Sequence, residues 1–97
     1  MRQKMTETEI AAALPKLPGW ILKEGKLHRE YKFPDFKHAM EFMHSAIEPI
    51  DNMDHHPEWF NVYNKVIVDL NTHDAGGITA KDFKLAELLE GLSKPAL

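Results

Sequence analysis

Cysteine is absent from the chain, and with it go disulfides, thiolate nucleophiles and the usual structural zinc sites. That absence fits a reducing compartment. Basic runs are missing too, and a formal charge of −3 leaves no electrostatic footprint for gripping a phosphate backbone, so direct nucleic-acid binding is not expected. No apolar stretch approaches the roughly 20 residues that a membrane span needs. The start, Met1-Arg2-Gln3-Lys4-Met5, leads into polar residues and not into the apolar segment of a signal peptide. These absences together predict a soluble cytoplasmic protein with no membrane partner. Glycine is scarce. The pair Gly76-Gly77 is too short, and lacks the context, for a phosphate-binding loop, so it reads as a chain reversal.

What is present fits one domain spanning residues 1–97. A chain this short hides only about 60 to 70% of its surface on folding, so its core is modest and association with further copies would supplement it.

Thr6-Glu7-Thr8-Glu9 has the form of a capping box, in which a hydroxyl and a carboxylate three residues later satisfy free amides at a helix start. Ile10, Ala13, Leu14 and Leu17 follow at helical spacing, with Pro15 and Pro18 holding this helix to a few turns. Residues 20–24 and 26–33 flank Gly25 as a hairpin, the second run alternating Leu27, Tyr31 and Phe33 against His28, Glu30 and Lys32. Phe36, Ala39, Met40, Met43, Ala46 and Ile47 then form the stripe of the longest helix, which Pro49 is expected to end. A polar stretch at 51–57 precedes a second hairpin, residues 59–63 and 65–71, with its turn near Tyr63-Asn64. Here Val66, Val68 and Leu70 alternate against Lys65, Ile67 and Asp69. Thr79 and Asp82 make another capping box, opening a helix that carries Phe83, Leu85, Leu88, Leu89 and Leu92 toward Gly91. The order α-β-β-α-β-β-α predicts an α+β fold, a four-stranded antiparallel sheet with three helices packed on one face.

Chemistry gathers at the ends of the second hairpin. Of 6 histidines, His55 and His56 enter its first strand and His73 leaves its second, so an antiparallel ribbon with a tight turn brings the three near one another. Imidazole gives and takes protons near neutrality, which suits a cluster to general acid-base work. Asp51, Asp54 and Asp74 stand close by in sequence, and a carboxylate partner fixes a tautomer.

Plainer readings stand beside this one. A histidine taken singly is most often a surface or hydrogen-bonded structural residue, and His28, His38 and His44 are read that way. For the cluster itself, residue types alone leave a structural role and a catalytic one both open. Zinc is the sharper rival, but adjacent side chains in extended backbone point apart, so His55 and His56 do not easily share one metal. Trp59 and Phe60 read as core and contact residues more than as a ligand platform. Pro57 holds His56 extended. Asp82 has a purely structural reading as the reciprocal member of the Thr79 cap.

The run Asp54-His55-His56-Pro57-Glu58-Trp59-Phe60-Asn61-Val62-Tyr63-Asn64-Lys65-Val66, followed by Thr72-His73, resembles the signature of the pterin-4a-carbinolamine dehydratases. Gly19-Trp20, the long helix before Asp51, and Gly77-Ile78-Thr79 with Asp82 also sit where that family has comparable features, so nearly the whole chain is covered. The resemblance implies dehydration of a 4a-hydroxytetrahydropterin to quinonoid dihydropterin, restoring the pterin used by aromatic amino acid hydroxylases, with no cofactor and no metal. It implies His55, His56 and His73 as the active-site imidazoles. Asp51, Pro57, Thr72, Asp74, Ala75 and Asp82 would line the pterin with them. Asp51 stands where animal members carry glutamate, keeping the charge with a shorter reach. The resemblance further implies a homodimer or homotetramer, for which the uncovered sheet face, with Ile67 on it, is a candidate contact. Two other readings stand beside this one. One is a protein-interaction module, since animal members also serve as dimerisation partners of a transcription factor. The other is a molybdopterin-related pterin role.

Overall fold

The two alternating runs form the centre of the sheet in the computed structural model, which describes residues 3–95. Strand β2 (Lys26–Lys32) pairs antiparallel with β4 (Lys65–Leu70), setting Leu27 against Leu70, Arg29 against Val68 and Tyr31 against Val66. Strands β1 (Ile21–Lys23) and β3 (Glu58–Val62) flank them in the order β1-β2-β4-β3. Directly paired residues share a face, so Leu27, Tyr31, Val66, Val68 and Leu70 form one apolar surface, and all five are buried. The hairpin turn lies where expected, with Tyr63 in the left-handed region at φ 51°.

Helices α1 (Glu7–Ala13), α2 (Phe36–Ser45), α3 (Ile47–Met53) and α4 (Ala80–Ser93) cover that surface. Their buried residues, among them Ile10, Ala39, Phe42, Ile50, Leu85 and Leu89, belong to the same core cluster as the strand residues. The sheet's other face is left open, with Ile21, Phe60 and Val62 each more than half exposed. This is the α+β arrangement that the periodicity predicts, with one helix more. Both capping boxes form, Thr6 with Glu9 and Thr79 with Asp82. Among the described residues no helix is long and apolar enough to cross a membrane.

Three local expectations need correction. Pro49 does not end the long helix, which stops at Ser45 with Ala46 as its cap; Pro49 is the third residue of α3. A proline is tolerated there because amides of a first helical turn have no intrahelical acceptor to lose. The stretch at 51–57 is therefore not all loop, since Asp51 to Met53 continue α3. The stripe of α2 is also rotated: Phe42 is buried with Ala39 and Ala46, while Phe36 and Ile47 are exposed. Phe42 fills the space between Tyr31 and Phe33, with ring centroids at 5.0 and 5.2 Å. Burying such a ring contributes about 1.5 to 3 kcal/mol. Helix α4, finally, carries its apolar residues past Gly91 to Leu92 as expected and ends at Ser93, but its Leu88 is exposed.

Candidate active site

The end of α3 decides where the histidines point. Asp54 adopts the left-handed conformation, φ 49° and ψ 45°, and closes the helix. The His55 amide still reaches the Ile50 carbonyl at 3.4 Å, which turns His55 into the protein. Pro57 keeps His56 out of the helical region. Extended neighbours point apart, so His55 is buried and His56 is exposed.

On the other side of the site, Thr72 follows β4 and pairs with Gly77, its amide donating to the Gly77 carbonyl at 2.8 Å. Between them His73–Ala75 form one short 3₁₀ turn, and Gly76 reverses the chain at φ 72°, a backbone region where a side chain would be strained. The reversal sets Thr72 against Thr79 at the head of α4. Their hydroxyl oxygens are 2.8 Å apart.

These segments meet on one carboxylate. Asp82 is 0% exposed. Its Oδ1 lies 2.5 Å from His55 Nε2, while its Oδ2 accepts from the Thr72 hydroxyl at 2.8 Å and from the Thr79 amide at 2.9 Å. The purely structural reading of Asp82 as a cap is correct and incomplete, because the same side chain that closes the cap also holds the imidazole. His73 follows Thr72 directly and lies exposed, as do Asp51 and Asp74; Pro57 and Ala75 are half-buried. His56 Nε2 is 3.9 Å from Asp51 Oδ1, beyond hydrogen-bond reach, and both side chains face solvent.

A model of the family described as pterin 4 alpha carbinolamine dehydratase matches residues 3–92. The chain belongs to that family. Among pterin-4-alpha-carbinolamine dehydratase relatives, a protein of Solibacter usitatus, named as a candidate enzyme of this kind, is 57% identical over 96% of this chain and 98% of its own. One from Picosynechococcus, named in the same way, is 45% identical over 95% of this chain and 100% of its own. The crystal structure of a transcriptional coactivator/pterin dehydratase from Brucella melitensis has the same fold, with a TM-score of 0.90 at 41% identity, covering 94% of this chain and 99% of that one.

Two features of the chain escaped the sequence reading. Thr79 was visible as a cap but not as a neighbour of the site; the capping box was the signal, and its second use depends on where Thr72 lands. His28, read as a surface or hydrogen-bonded structural residue, is of the second kind and buried. Its Nδ1 lies 2.8 Å from Asp69 Oδ1 and its Nε2 2.9 Å from Glu30 Oε2. Burial opposes charge on that ring, but the two carboxylates outweigh it and hold the His28 pKa above its ordinary value. His38 Nδ1 donates to Asp35 Oδ1 at 2.6 Å and His44 is exposed, as the plainer reading has them.

Among the described residues no group of three or more His, Asp or Glu side chains is placed to hold a metal ion. A cleft of about 610 Å³ lies beyond Thr79, lined by Lys4, Met5, Lys81 and Lys84 among others; His55, His56 and His73 are not in its wall.

Proposed function

We propose that this chain dehydrates a 4a-hydroxytetrahydropterin to quinonoid dihydropterin and water, with His55 and His73 as the proton-transfer pair and His56 orienting the pterin. In this reaction the bond from C4a to its hydroxyl oxygen breaks, the oxygen takes a proton and leaves as water, and a ring N–H proton is collected. The nitrogen lone pair drives the departure, so positioned acid and base groups suffice, and they supply about 10² to 10⁴-fold. No cofactor enters.

The observation that carries the reading is the buried contact of His55 with Asp82, a carboxylate that also binds Thr72, the residue just before His73. Asp51, Pro57, Thr72, Asp74 and Ala75 are proposed to border the pterin beside the three imidazoles, with Asp82 behind His55. The setting proposed is the cytoplasm, in the recycling of pterin for aromatic amino acid hydroxylases. A homodimer or homotetramer is proposed, with the open sheet face around Ile67 as one contact; light scattering tests the assembly. The runner-up is an interaction role, favoured only by the name of the Brucella protein, which joins coactivator to dehydratase.

Separate alanine replacements at His55, His56 and His73, read for turnover and for pterin affinity, test the assignment. Turnover falls while affinity is spared at His73 more than at His56. The opposite pattern overturns the division of roles, and full turnover in all three variants overturns histidine catalysis.

A further inference from the structure

Hydroxyl groups carry one proton each, and at this site the count fixes a direction. The Thr72 hydroxyl donates to Asp82 Oδ2 at 2.8 Å, so its single proton is spent there. In the 2.8 Å contact between the two threonines, Thr79 must therefore be the donor. The Thr79 oxygen in turn accepts from the Lys81 amide at 3.2 Å, in the first turn of α4. Asp82 Oδ2 is already met by two donors, Thr72 and the Thr79 amide, which leaves Oδ1 turned to His55 Nε2. A carboxylate can only accept. Donation thus runs from the head of α4 through Thr79 and Thr72 to Asp82, where it meets the N–H that His55 donates from the other side. All four side chains are buried, His55 at 7% and the rest at 2% or less, where such chains reinforce one another and a missing partner is costly.

We propose that Thr72 is a positioning residue for the reaction: its hydroxyl, oriented by Thr79, holds Asp82 so that His55 stays protonated on Nε2 and exchanges its proton through Nδ1. The inference rests on the assignment of His55 as an acid-base group. It gives the Thr72 hydroxyl a role distinct from lining the pterin, since that proton is already committed to Asp82. Thr79 serves the same end one bond further from the ring, in addition to capping its helix.

Thr72→Val keeps the shape and removes the hydroxyl, while Thr72→Ser keeps the hydroxyl and removes the methyl group. The readouts are kcat and KM for dehydration, and the ¹⁵N NMR pattern of the His55 imidazole in the protein without pterin. With the valine, kcat falls roughly tenfold, about the worth of one hydrogen bond to a charged group, and KM stays within about twofold. The His55 signals move from a pattern with Nε2 protonated to a mixture of tautomers. Serine restores both. Serine as impaired as valine would make the contribution one of packing, and an unchanged ¹⁵N pattern in the valine variant would overturn the proposal. If the valine variant does not fold, Thr79→Val takes its place and is expected to move both readouts in the same direction by less; an unmoved His55 pattern there is equally contradictory. The ¹⁵N readout needs no turnover, so a wild-type protein that fails to dehydrate pterin sinks the proposed function while the tautomer still decides the role of Thr72.

Discussion

His28 and Asp69 face each other directly across the β2–β4 ladder, with Nδ1 2.8 Å from Oδ1, and Glu30 closes the other side of the ring at 2.9 Å. With an acceptor on each ring nitrogen, only the doubly protonated imidazole satisfies both contacts. Lys23 works against that charge from β1, and the two carboxylates prevail.

A pH dependence of stability follows, with a definite sign. Because the folded-state pKa of His28 is raised, the stability it contributes is fully present below the unfolded value of about 6.5 and is lost as pH rises through the folded value. Urea midpoints measured from pH 5.5 upward should decline for the wild type. For His28→Gln that part of the decline should vanish, and equal slopes in the two proteins would show that the ring is not charged in the fold.

A second polar lock ties α4 to the sheet. Glu90 Oε1 accepts from the Trp20 indole at 2.8 Å, the Tyr31 hydroxyl at 2.7 Å and Arg29 Nε at 3.3 Å. Arg29 also stacks over the Tyr31 ring at 4.2 Å. Burial resists ionisation of Glu90, but these donors overcome it and hold its carboxyl below the ordinary range; burial and the adjacent carboxylate push the Tyr31 phenol up. Glu90→Ala strands the indole and phenol donors, and we expect a loss of about 2 kcal/mol in urea unfolding. The Glu90 contribution is present above the unfolded carboxyl pKa and is lost as pH falls through the folded one. The gap between wild type and variant should therefore close in acid.

The sheet was legible from the alternation of Val66, Val68 and Leu70 because a strand period of two leaves one register that buries them all. Its inward charge was not. Arg29 shares the buried face, and its partner Glu90 is 61 residues away on another element, a distance over which local pattern carries no information. The same limit hid the burial of His28, because Asp69, which faces it from β4, is 41 residues away. At the candidate site, the meeting of the two hairpin ends could be read from antiparallel geometry. The commitment of Asp82 to His55 could not, because a capping box alone accounts for a carboxylate at that position.

Asp82 carries both stability and orientation, and two substitutions separate them. Asp82→Ala leaves the Thr72 hydroxyl, the Thr79 amide and His55 Nε2 without their acceptor, at a cost of about 3 kcal/mol. Asp82→Asn keeps the shape but presents one amide NH₂ group where an acceptor is needed. Under conditions where it is folded, its turnover should fall about a hundredfold with pterin affinity within a few-fold of wild type. Wild-type turnover in Asp82→Asn would detach the carboxylate from the chemistry.

Packing predicts its own outcome at Phe42. Its ring is 1% exposed between Tyr31 and Phe33, so Phe42→Ala should cost about 3 to 5 kcal/mol. Phe36→Ala, at an exposed ring on the same helix, should shift the unfolding midpoint of the isolated chain little. Equal losses at the two positions would contradict the rotation of the α2 stripe.

The most direct measurement is the rate at which freshly generated 4a-hydroxytetrahydropterin disappears, followed by absorbance with increasing amounts of protein and repeated in the presence of a chelator. The account predicts a rate that rises in proportion to protein and is unchanged by the chelator. A rate that stays at its spontaneous value at every protein concentration, or an acceleration that the chelator abolishes, would contradict it.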